Sequence, residues 1–373
     1  MPYRILFIYP WMHAHTGSPR MLLNLVRAMD RTRFEPVFLA LGEGKLVDEM
    51  RTSGIEVVDG ALHVCSLAQP FRLAKRAVSA ARQLNAWRID LVHINAWPWN
   101  LDMAFGAWLK RLPVVLHTHN FMTVHRLNLM RLVADKVLFV SEHQRSMTGG
   151  LELIRSKSAV LHNFIDFDHY GAGKDIRTAL GLTREHFVVV TVAQISAHKG
   201  IETVIETARL CIASHPGMKF LIVGGDAVNE EAYADDMRRE VATSGIAPHI
   251  EFLGARTDVP DILASADVLL HPSRRESFGL VIIEAMAAGK PVIASTTGGI
   301  PEIVQAVGGG GLLIDDPTPE AFARAVVSFC DAPAQRARVG EQARAGARRC
   351  FSQQAVVPRL EQIYQDLLVP ISA

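Results

Sequence analysis

The chain has 373 residues, of which 49% are hydrophobic and 21% charged, enough for a large buried core and long enough that two domains are the first expectation. Cys65, Cys211, Cys330 and Cys350 are widely spaced and form no CxxC pair, which argues against a disulfide framework or a cysteine-pair zinc site and fits a reducing, cytoplasmic setting. No stretch approaches the run of about 20 apolar residues that a membrane span needs, and MPYRILFIYPW reads as a buried first strand rather than a signal peptide.

The net charge of +1 conceals a division along the chain. Residues 1–165 carry 20 Lys and Arg against 12 Asp and Glu, whereas the remainder carries 19 against 26. A basic front half suggests an anionic partner, although an ordinary solvated surface would also account for it.

In chain order, the apolar runs RILFIY (4–9), EPVFLAL (35–41), IEVV (55–58), DLVHI (90–94), PVVLHTH (113–119) and KVLFVS (136–141) predict strands. Helix-like segments lie at 18–30, 71–86, 98–110 and 123–134. The alternation restarts with HFVVVTVA (186–193), KFLIVGG (219–225), HIEFLG (249–254), DVLLHP (267–272) and KPVIAS (290–295). Repeated βα units of this kind predict two parallel, doubly wound sheets that bind ligands at the C-terminal ends of their strands. The break near Asn163–Asp166 places a first domain at 1–165 and a second at 166–351. A terminal helix at 351–368 is expected to start from a Ser cap and to be kinked or delayed by Pro358.

The segment HPSRRESFGLVIIEAMAAGKPVIAS (271–295) carries the most chemistry. Ser277 can cap a helix beginning near Phe278, and that helix is apolar around its circumference, so it should be buried. Glu284 within it needs either an internal ion pair or hydrogen-bond donors such as ligand hydroxyls. Backbone amides at Ser277, Phe278 and Gly279 would form an anion site at the helix N-terminus. In the loop of Gly298, Gly299, Pro301 and Glu302, the glycines fit either a tight turn or a close ligand approach.

Glu276 and Glu284, with seven residues between them, together with EAMAAGKPVIAS and GGIPEIV (298–304), resemble the EX7E signature of retaining glycosyltransferase family 4. GSPRMLLNLVRAM (17–29) is similar to the family's N-terminal glycine loop, with Ser18 in place of the second glycine. LHTHN (116–120), LHNFIDFDHY (161–170) and FLGARTDVPDILASADVLLHPS (252–273) resemble further family blocks, so that the likeness spans nearly the whole chain.

The resemblance implies an α/β GT-B fold, with two Rossmann-like doubly wound domains facing each other across a cleft. The basic first domain, completed by the helix 352–373, would bind the acceptor, and the second would bind the nucleotide sugar. It further implies a retaining, metal-independent hexosyltransferase without a cofactor, acting on a nucleotide-diphosphate sugar, most often a UDP-sugar. The acceptor would be a carbohydrate, lipid-linked or small-molecule hydroxyl. Carried over by position, Glu284 would hold the ribose, Glu276 a sugar hydroxyl, and His117 the reacting face of the sugar. Gly17 and Ser18 would approach the donor from the first domain, with Ser277, Phe278 and Gly279 supplying amides from the second. Lys199 would stabilise the leaving phosphate. Gln194 stands where the family usually has an Arg, and it can donate a hydrogen bond but brings no charge; Arg256 or His198 could compensate. A lone histidine at a strand end is more often a core residue, and Lys199 taken without its surrounding block would read as a surface lysine.

Asp166-Phe167-Asp168 spells the metal motif of another glycosyltransferase fold, but it lies in the linker and is assigned no metal. Gly308–Gly311 does not open a helix and reads as a turn, and no GxGxxG follows a strand. The segment RLAKRAVSAARQL (72–84) suits an anionic membrane surface, a phosphorylated acceptor or plain solvent, and nothing indicates nucleic acid. The alternatives to a transferase are a non-catalytic paralogue, which Gln194 would permit, and a nucleotide-sugar epimerase.

Overall fold

The computed structural model describes residues 1–12, 17–60, 69–95, 101–119 and 132–369. It divides into two compact units, one of residues 1–164 with 353–373 and one of residues 165–352.

The first unit holds a seven-stranded parallel sheet: β1 Tyr3–Ile8, β2 Phe34–Ala40, β3 Glu56–Asp59, β4 Leu91–Ile94, β5 Val114–Thr118, β6 Lys136–Phe139 and β7 Ser158–Val160, in the order β3-β2-β1-β4-β5-β6-β7. Its strands are near-continuous apolar runs because helices cover both faces. The helix Gly17–Ala28 buries Pro19, Met21, Leu22, Leu23, Leu25 and Val26, a stripe at helical spacing that meets Phe7, Phe34 and Phe38. The opposite face packs Leu73, Ala80 and Leu84 of the helix Pro70–Ala86 against Leu6, Ile8 and Val37. The expected helix at 98–110 is seen as Leu101–Leu109, and most of the one expected at 123–134 falls outside the described residues.

The second unit repeats the scheme with β8 Phe187–Val192, β9 Met218–Val223, β10 Ile250–Gly254, β11 Val268–His271, β12 Val292–Ser295 and β13 Gly311–Ile314. Their order, β10-β9-β8-β11-β12-β13, is again all parallel. In each sheet the winding reverses beside the first strand, between β1 and β4 and between β8 and β11, and these reversal points are where doubly wound sheets bind ligands.

Three local expectations need correction. The run GLLI after the glycines is the edge strand β13; it is only four residues long and partly exposed, so its apolar signal is weak. The terminal helix begins at Gln353, and Pro358 lies within it without delaying its start, since only one early N–H is lost. This helix packs into the first unit, where Val356, Val357, Leu360 and Tyr364 join the core and Glu361 accepts the Asp30 backbone N–H at 2.7 Å. Third, the helix after β11 starts at Leu280. Gly279, in a left-handed conformation, occupies the cap position and no side-chain bond caps the helix, so Ser277 does not have the capping role its residue type suggests.

Candidate functional site

At the reversal point of the second sheet, the loop after β8 and the loop after β11 are stitched together. Arg274 donates its backbone N–H to the His198 carbonyl at 2.8 Å and its guanidinium to the Ala197 carbonyl at 2.9 Å. Gly200 makes this approach possible: a Cβ there would lie 2.5 Å from the Pro272 carbonyl oxygen, and its φ of +70° suits glycine.

The stitching brings Lys199 to Glu276, with Nζ donating to Oε2 at 2.7 Å and side-chain exposures of 17% and 14%. The same oxygen lies 3.3 Å from Nε2 of His271, which is 1% exposed. Burial holds the His271 imidazole below its ordinary value of 6.5, so the ring is neutral near pH 7 and its Nε2 carries the proton given to Glu276. Burial pushes the Glu276 carboxyl up, but the His271 hydrogen bond and the Lys199 charge outweigh it and hold the group at about 2. Glu276 is therefore an ionised carboxylate fixed by two donors. The sequence offered no signal for His271 beyond its place at the end of a strand.

Gly298 supports the same loop from the other side. Its φ is +58°, and a Cβ there would sit 1.7 Å from the Glu276 carbonyl oxygen. The close approach made by this glycine is to the Glu276 backbone. Gly299 precedes the helix Ile300–Val307, with Pro301 and Glu302 in its first turn. The Phe278 ring is buried and meets the ring of Phe351 edge-on at 5.7 Å, anchoring the loop to the core. Ser277 beside it is half-buried.

Glu284 lies half-buried in the helix Leu280–Ala287 and accepts a hydrogen bond from the Tyr170 hydroxyl at 2.7 Å. Gln194 is exposed beyond the end of β8. Arg256 makes a two-pronged pair with Asp258, at 2.8 and 2.6 Å, in the loop after the edge strand β10. His198 shares a hydrogen bond with the Ser196 hydroxyl at 3.0 Å. In the DXD-like run, Asp166 caps the helix Phe167–Gly171 through the Asp168 and His169 amides, and Asp168 pairs with Arg348. Gly308 ends the helix Ile300–Val307 and Gly311 begins β13, so the glycine run is a helix-to-strand turn.

The reversal point of the first sheet is built differently. His93 on β4, His117 on β5 and His119 just beyond it share one face, with ring centroids 5.6 and 4.6 Å apart in sequence. All three are buried. Tyr364 of the terminal helix shares a 2.6 Å hydrogen bond with His93 Nδ1, and Asn95 Oδ1 lies 3.1 Å from His119 Nε2. Burial pushes His93 down to about 3 and His119 to about 4, and places His117 well below 6.5. The Leu161 backbone favours a charged His117 slightly, but among the described residues no hydrogen bond of normal geometry reaches either ring nitrogen. On the neighbouring loop, Ser18 Oγ shares a 2.7 Å hydrogen bond with the Tyr9 hydroxyl, and Gly17 opens the helix Gly17–Ala28.

The two doubly wound units are the Rossmann-like domains of the GT-B glycosyltransferase fold. Residues 15–169 match the family described as Glycosyltransferase Family 4, and residues 174–346 match that described as Glycosyl transferases group 1. The chain belongs to the family 4 glycosyltransferases. It is 34% identical over 212 residues to a D-inositol 3-phosphate glycosyltransferase of Corynebacterium glutamicum (strain R), covering 54% of this chain and 50% of that protein. A protein of the same description from Streptomyces avermitilis is 31% identical over 245 residues, covering 63% and 51%. The chain thus spans about half the length of the curated relatives it matches. Among solved structures, Anabaena Alr3699/HepE in complex with UDP and glucose superposes with a TM-score of 0.80 at 24% identity, over 97% of this chain and 99% of that one. A glycosyltransferase from Rickettsia africae ESF-5 gives a TM-score of 0.87 at 18% identity, over 99% of both chains. Among the described residues, no helix is long and apolar enough to cross a membrane.

Proposed function

We propose that this chain transfers a sugar from a nucleoside diphosphate to an acceptor hydroxyl, with retention of anomeric configuration and without a metal ion. The observation that carries the reading is the Lys199–Glu276–His271 cluster at the reversal point of the second sheet. As the bond between the anomeric carbon and the phosphate oxygen breaks, negative charge grows on the leaving phosphate. Lys199 and the backbone amides near Gly279 supply preorganised positive charge there. The acceptor oxygen bonds the anomeric carbon from the face the phosphate leaves, and its proton passes to the departing phosphate oxygen. Glu276, ionised and fixed, accepts a hydrogen bond from a hydroxyl of the sugar. Glu284, oriented by Tyr170, accepts from the ribose hydroxyls. His117, neutral and with ring nitrogens that have no partner among the described residues, offers a hydrogen bond to the sugar.

UDP is the nucleotide to test first, because it is frequent in the family and occupies the Anabaena neighbour. The basic first domain suits an anionic acceptor, and the Corynebacterium and Streptomyces relatives are described by an inositol phosphate. On the helix Pro70–Ala86, Phe71, Lys75, Val78 and Arg82 lie exposed at helical spacing on one face, a combination of basic and apolar groups suited to peripheral contact with an anionic membrane. Sedimentation with anionic liposomes that salt abolishes would support that contact, and no binding at low salt would end it.

The deciding experiment is a thermal-shift series with UDP, GDP and ADP, with and without EDTA, each shift read against its own nucleotide-free baseline. A rise with one nucleotide that survives EDTA and is lost in Lys199→Ala supports the donor site. No rise with any nucleotide at millimolar concentration overturns it. Gln194, uncharged and exposed, would then favour a non-catalytic binding subunit.

A further inference from the structure

We propose that the second domain carries a binding site for a divalent transition-metal ion of the zinc class, formed by His215, Cys330 and Asp331. One ligand atom from each of these residues lies within 4.8 Å of the others, and His215 Nε2 is 3.1 Å from Asp331 Oδ1. Cysteine spacing argues against a CxxC site and says nothing of a mixed set in which a histidine more than a hundred residues away joins an adjacent cysteine and aspartate.

Three features make the cluster more than a surface coincidence. The donors are an imidazole, a thiol and a carboxylate, all ordinary zinc ligands, and a water would complete a tetrahedron. His215 is also oriented from behind: its Nδ1 lies 2.8 Å from Ser214 Oγ, leaving Nε2 directed at Asp331. Supporting bonds of this kind fix the tautomer of metal-binding histidines. Finally, His215 follows the last residue of the helix Ile201–Ser214, and Cys330 and Asp331 end the helix Pro319–Asp331. The negative ends of two helix dipoles therefore meet at the cluster, which favours a cation. Arg336 is the nearby positive charge, and it is engaged by Asp267 and by the Phe329 carbonyl.

The cluster lies where the helices end and β9 begins, since the Met218 N–H bonds the His215 carbonyl at 3.0 Å. That is the end of the sheet opposite Lys199 and Glu276. A metal there would tie two helix ends together and take no part in glycosyl transfer. Cys330 binds as its thiolate, so its proton is released to solvent on binding.

Cobalt(II) titration of the tag-free, chelator-treated full chain tests the site, because a cobalt–thiolate bond gives a near-ultraviolet charge-transfer band. The expected result is about one equivalent bound per chain, displaced by zinc. The band should vanish in Cys330→Ser and persist in Cys350→Ser. His215→Ala should weaken binding by at least about tenfold, and Ser214→Ala by about tenfold. Zinc should raise the melting temperature of the wild type and leave that of Cys330→Ser unchanged, while the two proteins show the same circular dichroism without metal. A wild type with no charge-transfer band, or a band that survives Cys330→Ser, overturns the proposal.

Discussion

The two domains share a winding order but equip its reversal point in opposite ways. In the second sheet that position holds charge: an ammonium on a carboxylate that also accepts a hydrogen bond from His271. In the first sheet it holds three buried, neutral histidines, several of whose nitrogens have no partner among the described residues. The same backbone topology therefore supports one end suited to stabilising a growing anion and another suited to hydrogen-bonding a polar, uncharged group. Burial of a histidine row is affordable because the rings stay neutral; burial of a lone lysine or glutamate would not be.

The difference is best tested by removing the charged end. Lys199→Ala should cost on the order of 3 kcal/mol in transition-state stabilisation, a loss of about a hundredfold or more in kcat, as for an oxyanion donor. A rate within about threefold of wild type, measured with saturating donor, would show that Lys199 does not act on the leaving group. Gly298→Ala attacks the same end through the backbone. Its Cβ would collide with the Glu276 carbonyl, at 1.7 Å, and its φ of +58° disfavours alanine, so a loss of about 2 kcal/mol in stability is expected. Urea unfolding checks this, with Gly308→Ala, where nothing lies within 4 Å of the new Cβ, as the comparison for positive φ alone.

The neutral end should reveal itself through acid. His93 and His119 are held near 3 and 4 in the folded chain, against an ordinary value of 6.5. Above pH 6.5 neither the folded nor the unfolded chain binds these protons, so there is no effect. Between about 6.5 and 4 the unfolded chain takes up protons that the folded one refuses, and stability falls by up to about 1.4 kcal/mol per pH unit for each such histidine. Glu276 remains ionised through that window, while His271 on β11, also held below 6.5 by burial, gives the second sheet a smaller loss of the same kind than the row of three gives the first. Protection factors from hydrogen exchange should therefore drop more for β4 and β5 than for β8 and β11 between pH 7 and pH 5. An equal drop in both sheets would show that the histidine row is not what distinguishes them.

Much of this arrangement is legible in the sequence. Repeated apolar runs disclosed both parallel sheets because strands covered on two faces have little polar interruption. The spacing of Glu276 and Glu284, with the blocks around them, disclosed the family. What stayed hidden depended on pairs brought together by folding. No pattern links Gly298 to the Glu276 carbonyl, or Tyr170 to Glu284, because contacts across 22 and 114 positions leave no periodic trace. His271 reads in the sequence only as the end of a strand; its hydrogen-bond-donating role follows from burial and from the 3.3 Å distance to Glu276. Ser277 shows the opposite failure: a favoured cap residue was displaced by Gly279, because the loop must bend back to meet Gly298 and Phe351.

Tyr170→Phe gives the smallest effect and the sharpest separation between binding and chemistry. Tyr170 donates to Glu284 from the short helix Phe167–Gly171, so its hydroxyl orients a carboxylate proposed to hold the ribose and touches no reacting atom. Loss of one such bond is worth about 1 kcal/mol, or about fivefold in nucleotide affinity. The weakening should appear equally in the Kd for the nucleoside diphosphate and in the KM for the donor, with kcat within about twofold of wild type. A fall in kcat at unchanged Kd would move Glu284 from holding the nucleotide to acting at the anomeric centre, and the division of labour between Glu284 and Glu276 would have to be reversed.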